Sequence, residues 1–166
     1  MRKNEWRQIP IFIWILWLAG CAGAISEEVR SKVTYAGSFR SLQQAPDQAA
    51  GEIVMLGGKI IEVQPAGDQT ELTVLQLPLN AYLRPTDADS SEGRFILRSK
   101  AFLDPAIYPA GSLITVVGQV QGSEERLIGK MPYRYPVIVP EEIKKWPAQT
   151  GSGGGFHFGI GVGTTF

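Results

Sequence analysis

A series of strand-like runs constrains the fold of this chain more than any other feature of its sequence. Between residues 51 and 146, apolar and β-branched runs are separated by short stretches containing Gly, Pro, Asp or Ser. The runs read EIVMLGGKIIEVQ, TELTVLQLPL, RFILRSKAFL, SLITVVGQVQG and RLIGKMPYRYPVIVPEEIKKW. Strands and turns at such regular spacing are typical of all-β sandwiches and barrels, and they argue against a helical domain.

A glycine pair, Gly57-Gly58, interrupts the first run. Glycines inside a strand indicate a bulge or a close approach of another backbone, and a bent strand in a small barrel pairs at both ends. The loop at residues 65–69 predicts a hairpin, residues 80–94 predict a polar crossing, and GSEE at 122–125 predicts a turn. This order of elements resembles the OB-type barrel. We therefore predict an all-β, five- to six-stranded OB-like barrel over residues 51–146.

The third run offers a candidate ligand-binding surface. Its alternation places Phe95 and Leu97 on one side, and Ile96 on the other side with three basic residues. Two tyrosines alternate in the last run, and aromatic rings are able to stack on a ligand. The alternative is that the cations lie on an outward face exposed to solvent, and that the two tyrosines pack on one face of a strand with their hydroxyls in contact with water. The candidate residues are Arg94, Arg98, Lys100, Tyr133 and Tyr135.

Residues 1–20 have the features of a secretory signal. Three basic residues precede an uncharged apolar run from Ile9 to Ala19, and small residues stand just before Cys21. A basic start, an apolar run of about 7–15 residues and a small-residue site define such a signal. The run is too short for a spanning helix, which needs about 20 apolar residues. An ordinary signal with an incidental cysteine remains the alternative.

The string LAGC at residues 18–21 resembles the lipobox of bacterial lipoproteins. That resemblance implies that the Cys21 thiolate accepts a diacylglyceryl group, that cleavage precedes Cys21, and that the new amine is acylated. Two or three acyl chains give durable attachment, whereas one chain holds only marginally. Beyond this covalent lipid we expect no cofactor. Residues 21–50 are predicted to be a lipid-anchored tether, with a short helix near Leu42 and a turn at Pro46-Asp47.

Charge and residue inventory exclude several classes of function. Removing residues 1–20 takes away three basic residues and one acidic residue, so the net charge goes from 0 to −2. A strongly basic footprint for nucleic acid is absent from the sequence. The only histidine, His157, lies in a Gly-rich tail, and the only cysteine is assigned to lipid, so neither a catalytic triad nor a zinc site is expected. We predict no catalytic residues, no metal and no enzymatic activity.

The tail at residues 147–166 is rich in glycine. From Phe156 to Phe166, the even positions carry apolar side chains or threonine and the odd positions carry His157, glycine or threonine. Gly-rich composition favours a flexible coil. The alternative is an extended strand that lies on a membrane or adds to a sheet edge.

Several ordered strings resemble the Slp family of outer-membrane lipoproteins, a name that stands for starvation-inducible lipoprotein. They are GGKIIEV, LTVLQLPLNAYLRP, GRFILRS, FLDPAIYPAGSLITVVGQVQG and GKMPYRYPVI, together with the lipobox. The resemblance implies a lipoprotein on the periplasmic face of the Gram-negative outer membrane, linked to stress or stationary phase. It supplies no catalytic residues. In enteric-type bacteria an Asp after the cysteine resembles an inner-membrane retention signal, so Ala22 favours the outer membrane.

Two functions are therefore expected from the sequence. The first is a non-enzymatic envelope lipoprotein, held by outer-membrane lipid through Cys21, with a structural or binding role under stress. The alternative is an OB-type module that binds an oligosaccharide or peptidoglycan fragment through the candidate surface. An envelope protein or a cell-wall component is the expected partner.

Overall fold

Five strands close into a barrel in the computed structural model, which describes residues 25–86 and 88–148. The order around the barrel is β1-β2-β3-β5-β4, and β4 pairs with β1 to close it. The predicted all-β, OB-like barrel is confirmed. The signal at 1–20, Cys21 and residues 149–166 lie outside the described residues. The strands are β1 Ile53–Ala66, β2 Gln69–Leu77, β3 Arg94–Ser99, β4 Leu113–Ile128 and β5 Met131–Lys145.

Strand β1 pairs with two neighbours, as its glycine pair predicts. Its first half is antiparallel to β4 and its second half is antiparallel to β2, and Gly57 and Gly58 pair on both sides. A Cβ atom at Gly57 would overlap the side chain of Leu79, and one at Gly58 would overlap the side chain of Val74. Both positions therefore require glycine, because other segments of the same chain approach the β1 backbone too closely for a side chain.

A short N-terminal helical region packs against the barrel. It comprises α1 Glu27–Arg30, α2 Phe39–Gln44 and a 3-10 helix at Pro46–Ala49. The helix predicted near Leu42 is thus present as α2, and the Ser38 side chain caps it by accepting a hydrogen bond from the Ser41 N–H at 3.1 Å. Within the range 21–50 that the sequence predicts as a tether, Phe39 and Leu42 are buried in the main core, because they fill space beside Phe95.

The main core lies inside the barrel and takes side chains from all five strands and from the helical region. Successive side chains of a strand point to opposite faces, so each strand buries its inward-facing apolar side chains in this core, away from water. Its members are Phe39, Leu42, Ala49, Val54, Leu56, Ile60, Leu72, Val74, Phe95, Leu97, Ile114, Val116, Val120 and Ile138.

The hairpin of β4 and β5 extends beyond the barrel. The turn predicted at residues 122–125 is wrong, because Gly122 forms a bulge in β4 and the pairing with β5 continues to Ile128. Gly122 has a φ of 124° and the register shifts beside it, so the strand bends without ending. The turn lies instead at Gly129-Lys130, so the last run begins with the final three residues of β4 and continues, after the turn, as β5.

Candidate functional site

The projecting end of the β4–β5 hairpin, residues 123–136, covers the outer face of β2 and β3. Ile96 on β3 is fully buried in a second apolar cluster with Tyr135 and Val137, and Ile128 and Tyr133 pack against this cluster. Ile96 thus lies on the side of β3 opposite Phe95 and Leu97, as the alternation predicts. Alternation along β3 is intact, but the side that points away from the main core is covered by the hairpin.

Four charged side chains form a network between the hairpin and the β2–β3 face. The Arg98 guanidinium donates to Glu71 at 2.8 Å and to Glu124 at 2.6 Å. The Arg126 guanidinium donates to the same two carboxylates, at 2.6 Å to Glu71 and 2.8 Å to Glu124. Each carboxylate thus accepts from two guanidinium groups, an arrangement in which charge-assisted hydrogen bonds reinforce one another.

The network changes the acidity of its members. Burial acts to raise the pKa of Glu71, but hydrogen bonds from Arg126 and Arg98 outweigh it and hold that pKa below its ordinary value. Hydrogen bonds from Arg126 and Arg98 likewise lower the pKa of Glu124. Both carboxylates are therefore fixed as anions at neutral pH, and neither is tuned to act as a general acid or base.

The two candidate tyrosines belong to the same contact between hairpin and barrel. Their ring centroids lie 4.6 Å apart in an edge-to-face arrangement, and Tyr135 is buried. The Tyr133 hydroxyl oxygen accepts a hydrogen bond of 2.7 Å from the Arg94 N–H, while burial raises the pKa of Tyr133. The Tyr133 hydroxyl is thus bonded to the backbone of β3.

The structure brings together four of the five candidate ligand-binding residues, Arg94, Arg98, Tyr133 and Tyr135. Lys100 lies just beyond the end of β3 and is exposed. OB-type barrels commonly bind ligands on the face of strands 2 and 3 and on the adjoining loops. Here the chain's own hairpin occupies that face. Ligand binding by these five residues stays a prediction.

A second group of basic and aromatic residues surrounds Trp146, directly after β5. The buried Thr115 hydroxyl accepts from the Trp146 indole N–H at 2.9 Å and donates to the Leu83 carbonyl at 2.6 Å. The Arg84 guanidinium carbon lies 5.4 Å from the indole centroid, and the Lys144 ammonium lies 5.9 Å from it. Both distances permit cation–π attraction.

A cleft of about 580 Å³ opens beside Trp146. Lys59 and Lys145 line it together with the loop at residues 109–113 and with Pro147 and Ala148. Among the described residues around this cleft none is acidic. The surface with Arg84, Lys144 and Trp146 and the cleft with its two lysines therefore form one positively charged region.

The described chain begins on the same side of β5. Ile25 is buried, and Ser26 binds the Glu142 carboxylate through its N–H at 3.0 Å and through its hydroxyl at 2.6 Å. The side chain of Ser26 also accepts from the N–H of Val29 and so caps α1. Ser26 is therefore fixed to the last strand of the barrel.

Residues 18–157 match the family model described as the outer membrane lipoprotein Slp family, which is well over half of the sequence. This chain belongs to the Slp family. Two Escherichia coli K12 relatives are similar to this Slp family member. The lipoprotein YeaY is 31% identical over 88% of this chain and 75% of its own length. The outer membrane protein Slp is 31% identical over 66% of this chain and 57% of its own length.

Among solved structures, a small single-stranded DNA-binding protein from Streptomyces coelicolor is similar to this Slp family member. It has 8% sequence identity and a TM-score of 0.38, over 57% of this chain and 94% of that protein. A TM-score this low does not support a structural relationship, and the barrel is identified from its own strand order and pairing.

The described part of this Slp family member contains no helix that is long and apolar enough to cross a membrane. Across the same residues, His, Cys, Asp and Glu form no group of three that could hold a metal ion. The acidic residues nearest to one another in the charge network, Glu71 and Glu124, are instead bound to arginines.

Sequence reasoning missed three members of the charge network, Glu71, Glu124 and Arg126, and it missed the contact of Trp146 with Thr115. The acid and the base at 124 and 126 are two positions apart, which places them on one face of a strand. The turn predicted at residues 122–125 hides this strand-like spacing of Glu124 and Arg126. Nothing local in the sequence indicates that this face would meet Glu71, which lies on another strand of the barrel.

Proposed function

We propose that this chain is a lipoprotein held on the periplasmic face of the outer membrane by acyl chains on Cys21, with a non-catalytic role in the envelope under stress or in stationary phase. One observation carries the proposal: the family match begins at Leu18, the first residue of LAGC, and therefore includes the lipobox and the cysteine. The names of the two relatives, one a lipoprotein and one an outer membrane protein, support it.

The distribution of reactive groups supports a role without catalysis. Nucleophilic catalysis requires an activated nucleophile beside a base, and general acid–base catalysis requires a group with a suitably tuned pKa. The only histidine and the only cysteine of the sequence lie outside the barrel. The carboxylates of the charge network are held as anions by two arginines, which suits a structural function.

Lipid attachment is tested by growing cells that express the full chain with an alkyne fatty acid and by comparing it with the Cys21→Ser variant. We expect the unchanged chain to take up the label, to lose residues 1–20 and to sediment with the outer membrane. Cys21→Ser should carry no label and should leave the outer-membrane fraction. Ala24→Ser is the matched control, because it changes a nearby residue and leaves the thiol in place.

An unlabelled chain that retains residues 1–20 would refute the anchor. Label on the chain with fractionation to the inner membrane would refute the assigned membrane and leave the lipid in place. Protease accessibility in intact and permeabilised cells distinguishes the two faces of the outer membrane, because a periplasmic domain is cleaved only after permeabilisation.

Binding of an oligosaccharide or peptidoglycan fragment is a second candidate function only if the hairpin lifts from β3, since Arg98, Tyr133 and Tyr135 are now held in the contact between hairpin and barrel. A thermal-shift screen of the intact chain with soluble cell-wall fragments tests this. A fragment that binds the folded chain with its hairpin open, and not the unfolded chain, would raise the melting temperature by mass action, although the cost of opening reduces its apparent affinity. No change at saturating fragment would reject binding at this face.

A further inference from the structure

The short connection between Cys21 and the folded domain limits how the domain can be oriented on a membrane. Four residue steps separate Cys21 from the buried Ile25. A fully extended chain spans at most about 3.6 Å per residue, so these steps reach about 14 Å. Because Ser26 is bound to Glu142, lipid on Cys21 would keep this end of β5 close to the bilayer.

The basic and aromatic residues near Trp146 lie on that same side of the barrel. Val116 and Ile143 are paired and both pack in or against the main core, so Glu142 and Lys144 point to the outer face. Each two-residue step along a strand covers about 6.6 Å, which places Trp146 about 13 Å from Glu142 along the chain. This distance is comparable to the reach of the lipid attachment.

The chemistry of this face suits lipid head groups. Tyr82 is 81% exposed, on a turn in which the Asn80 side chain accepts from the N–H groups of Tyr82 and Arg84. Tyr and Trp are enriched at the level of the head groups. Arg and Lys lay their apolar stems along a surface and place their charges outward, toward lipid phosphates.

Three of the four acidic residues on α1 and near the end of β5 have partners within the chain. Glu141 is paired with Lys32 at 3.3 Å, Glu142 binds Ser26, and Glu27 pairs with Arg30; Glu28 is exposed on α1. The cleft beside Trp146 adds the positive charges of Lys59 and Lys145. The surface around Trp146, with its four basic side chains, is complementary to an anionic bilayer.

We propose that the face formed by Tyr82, Arg84, Lys144 and Trp146 rests on the anionic head groups of the membrane that holds the lipid. This inference depends on the proposed acylation of Cys21. The domain would therefore have one preferred orientation on the bilayer, with the β4–β5 hairpin directed elsewhere.

Fluorescence of Trp146 gives a direct test, because the other three tryptophans, Trp6, Trp14 and Trp17, lie in the segment that is cleaved. The native acylated protein is reconstituted in phosphatidylcholine vesicles, with and without phosphatidylglycerol, that carry a head-group spin label. We expect the spin label to quench Trp146 and aqueous iodide to lose access to it. Added salt should reverse both effects, since screening weakens the attraction of exposed charges.

The double variant Arg84→Glu/Lys144→Glu should lose most of the spin-label quenching and regain access to iodide. The matched control is Arg40→Glu/Lys130→Glu, which makes the same charge change at an exposed arginine and an exposed lysine outside this face and should behave as the unchanged protein. A thermal melt of each variant establishes that it is folded. The salt and lipid series on the unchanged protein test the proposal even if the first double variant does not fold.

The outcomes separate the two proposals. An unmodified Cys21 in the intact mass spectrum would overturn the proposed anchor. An acylated, vesicle-bound protein whose Trp146 is not quenched would overturn the orientation and leave the anchor standing. Quenching that is equal without phosphatidylglycerol and in the charge-reversed variant would overturn recognition of anionic head groups by this face.

Discussion

Two outer faces of the same barrel carry basic and aromatic side chains, yet they are built differently. On the β2–β3 face, Arg98 is bound to two carboxylates, one of them on the hairpin that covers this face, and Tyr133 of the hairpin is bound to a backbone N–H of β3. On the face near Trp146, the cations Arg84 and Lys144 lie over the indole ring, and no hairpin within residues 25–86 and 88–148 covers them. Basic and aromatic composition is therefore a poor guide to a binding face until the partners of each side chain are known.

The largest expected effect is a loss of stability when an apolar side chain under the hairpin is shortened, compared with the same change at an exposed position. Ile96→Ala should lower the free energy of unfolding by about 2–5 kcal/mol, because it leaves a cavity under the hairpin at a fully buried site. Ile107→Ala, at a largely exposed isoleucine, is the control and should change stability by less than about 0.5 kcal/mol. Urea unfolding of both variants makes the comparison, and equal losses would show that the hairpin does not seal Ile96.

Removal of one arginine from the charge network should have a smaller effect. Arg126→Met is expected to cost about 1–2 kcal/mol, because Glu71 and Glu124 each lose a charge-assisted hydrogen bond in a partly exposed network. Arg134→Met breaks an exposed pair with Glu125 and should cost less than about 0.5 kcal/mol. Chemical denaturation measures the free energy of unfolding of both variants. Equal losses for Arg126→Met and Arg134→Met would contradict a stabilising role of the charge network.

The pH dependence of stability tests the same network. The pKa of Glu71 is lower in the folded chain than its ordinary value of about 4.3, so its contribution is present above that pH and is lost as the pH falls toward the folded pKa. The melting temperature should therefore drop from pH 5 downward. Glu71→Gln should flatten this decline, whereas Glu125→Gln at an exposed pair should preserve it. A decline that is unaffected by Glu71→Gln would assign the acid sensitivity to other carboxylates.

The smallest expected effect concerns the open face. Arg84→Ala removes a cation from above Trp146 and a hydrogen bond of 3.0 Å to the Pro147 carbonyl, and should lower stability by about 0.5–1 kcal/mol. Thr86→Ala, which removes a hydrogen bond to the Pro78 carbonyl on the same segment, is the matched control. A loss as large as that of Ile96→Ala would mean that the face near Trp146 is also structural.

The barrel could be predicted from the sequence because each strand carries a local signal. The glycine pair marked the place where β1 changes partner, and the loop at 65–69 marked the hairpin. Gly122 misled because a glycine followed by Ser-Glu-Glu suits a turn as well as a bulge, and only the length of the pairing with β5 distinguishes the two.

The candidate site was less predictable because its contacts join positions distant in sequence. Arg94, Arg98, Tyr133 and Tyr135 do come together, but their neighbours on the folded hairpin decide what they do. Residues 21–50, the predicted tether, contain few large apolar groups, yet Phe39 and Leu42 from this range are buried in the main core. Composition averages over such residues and does not show where a few of them will pack.

The bond between Ser26 and Glu142 links residues that are 116 positions apart. Strand β4 closes the barrel on β1, and β5 completes it on β3, so the segment beside the cysteine gains its partner only once the final strand is available. In a chain that emerges from its N-terminus onward, Ser26 therefore stays without this partner until Glu142 has emerged.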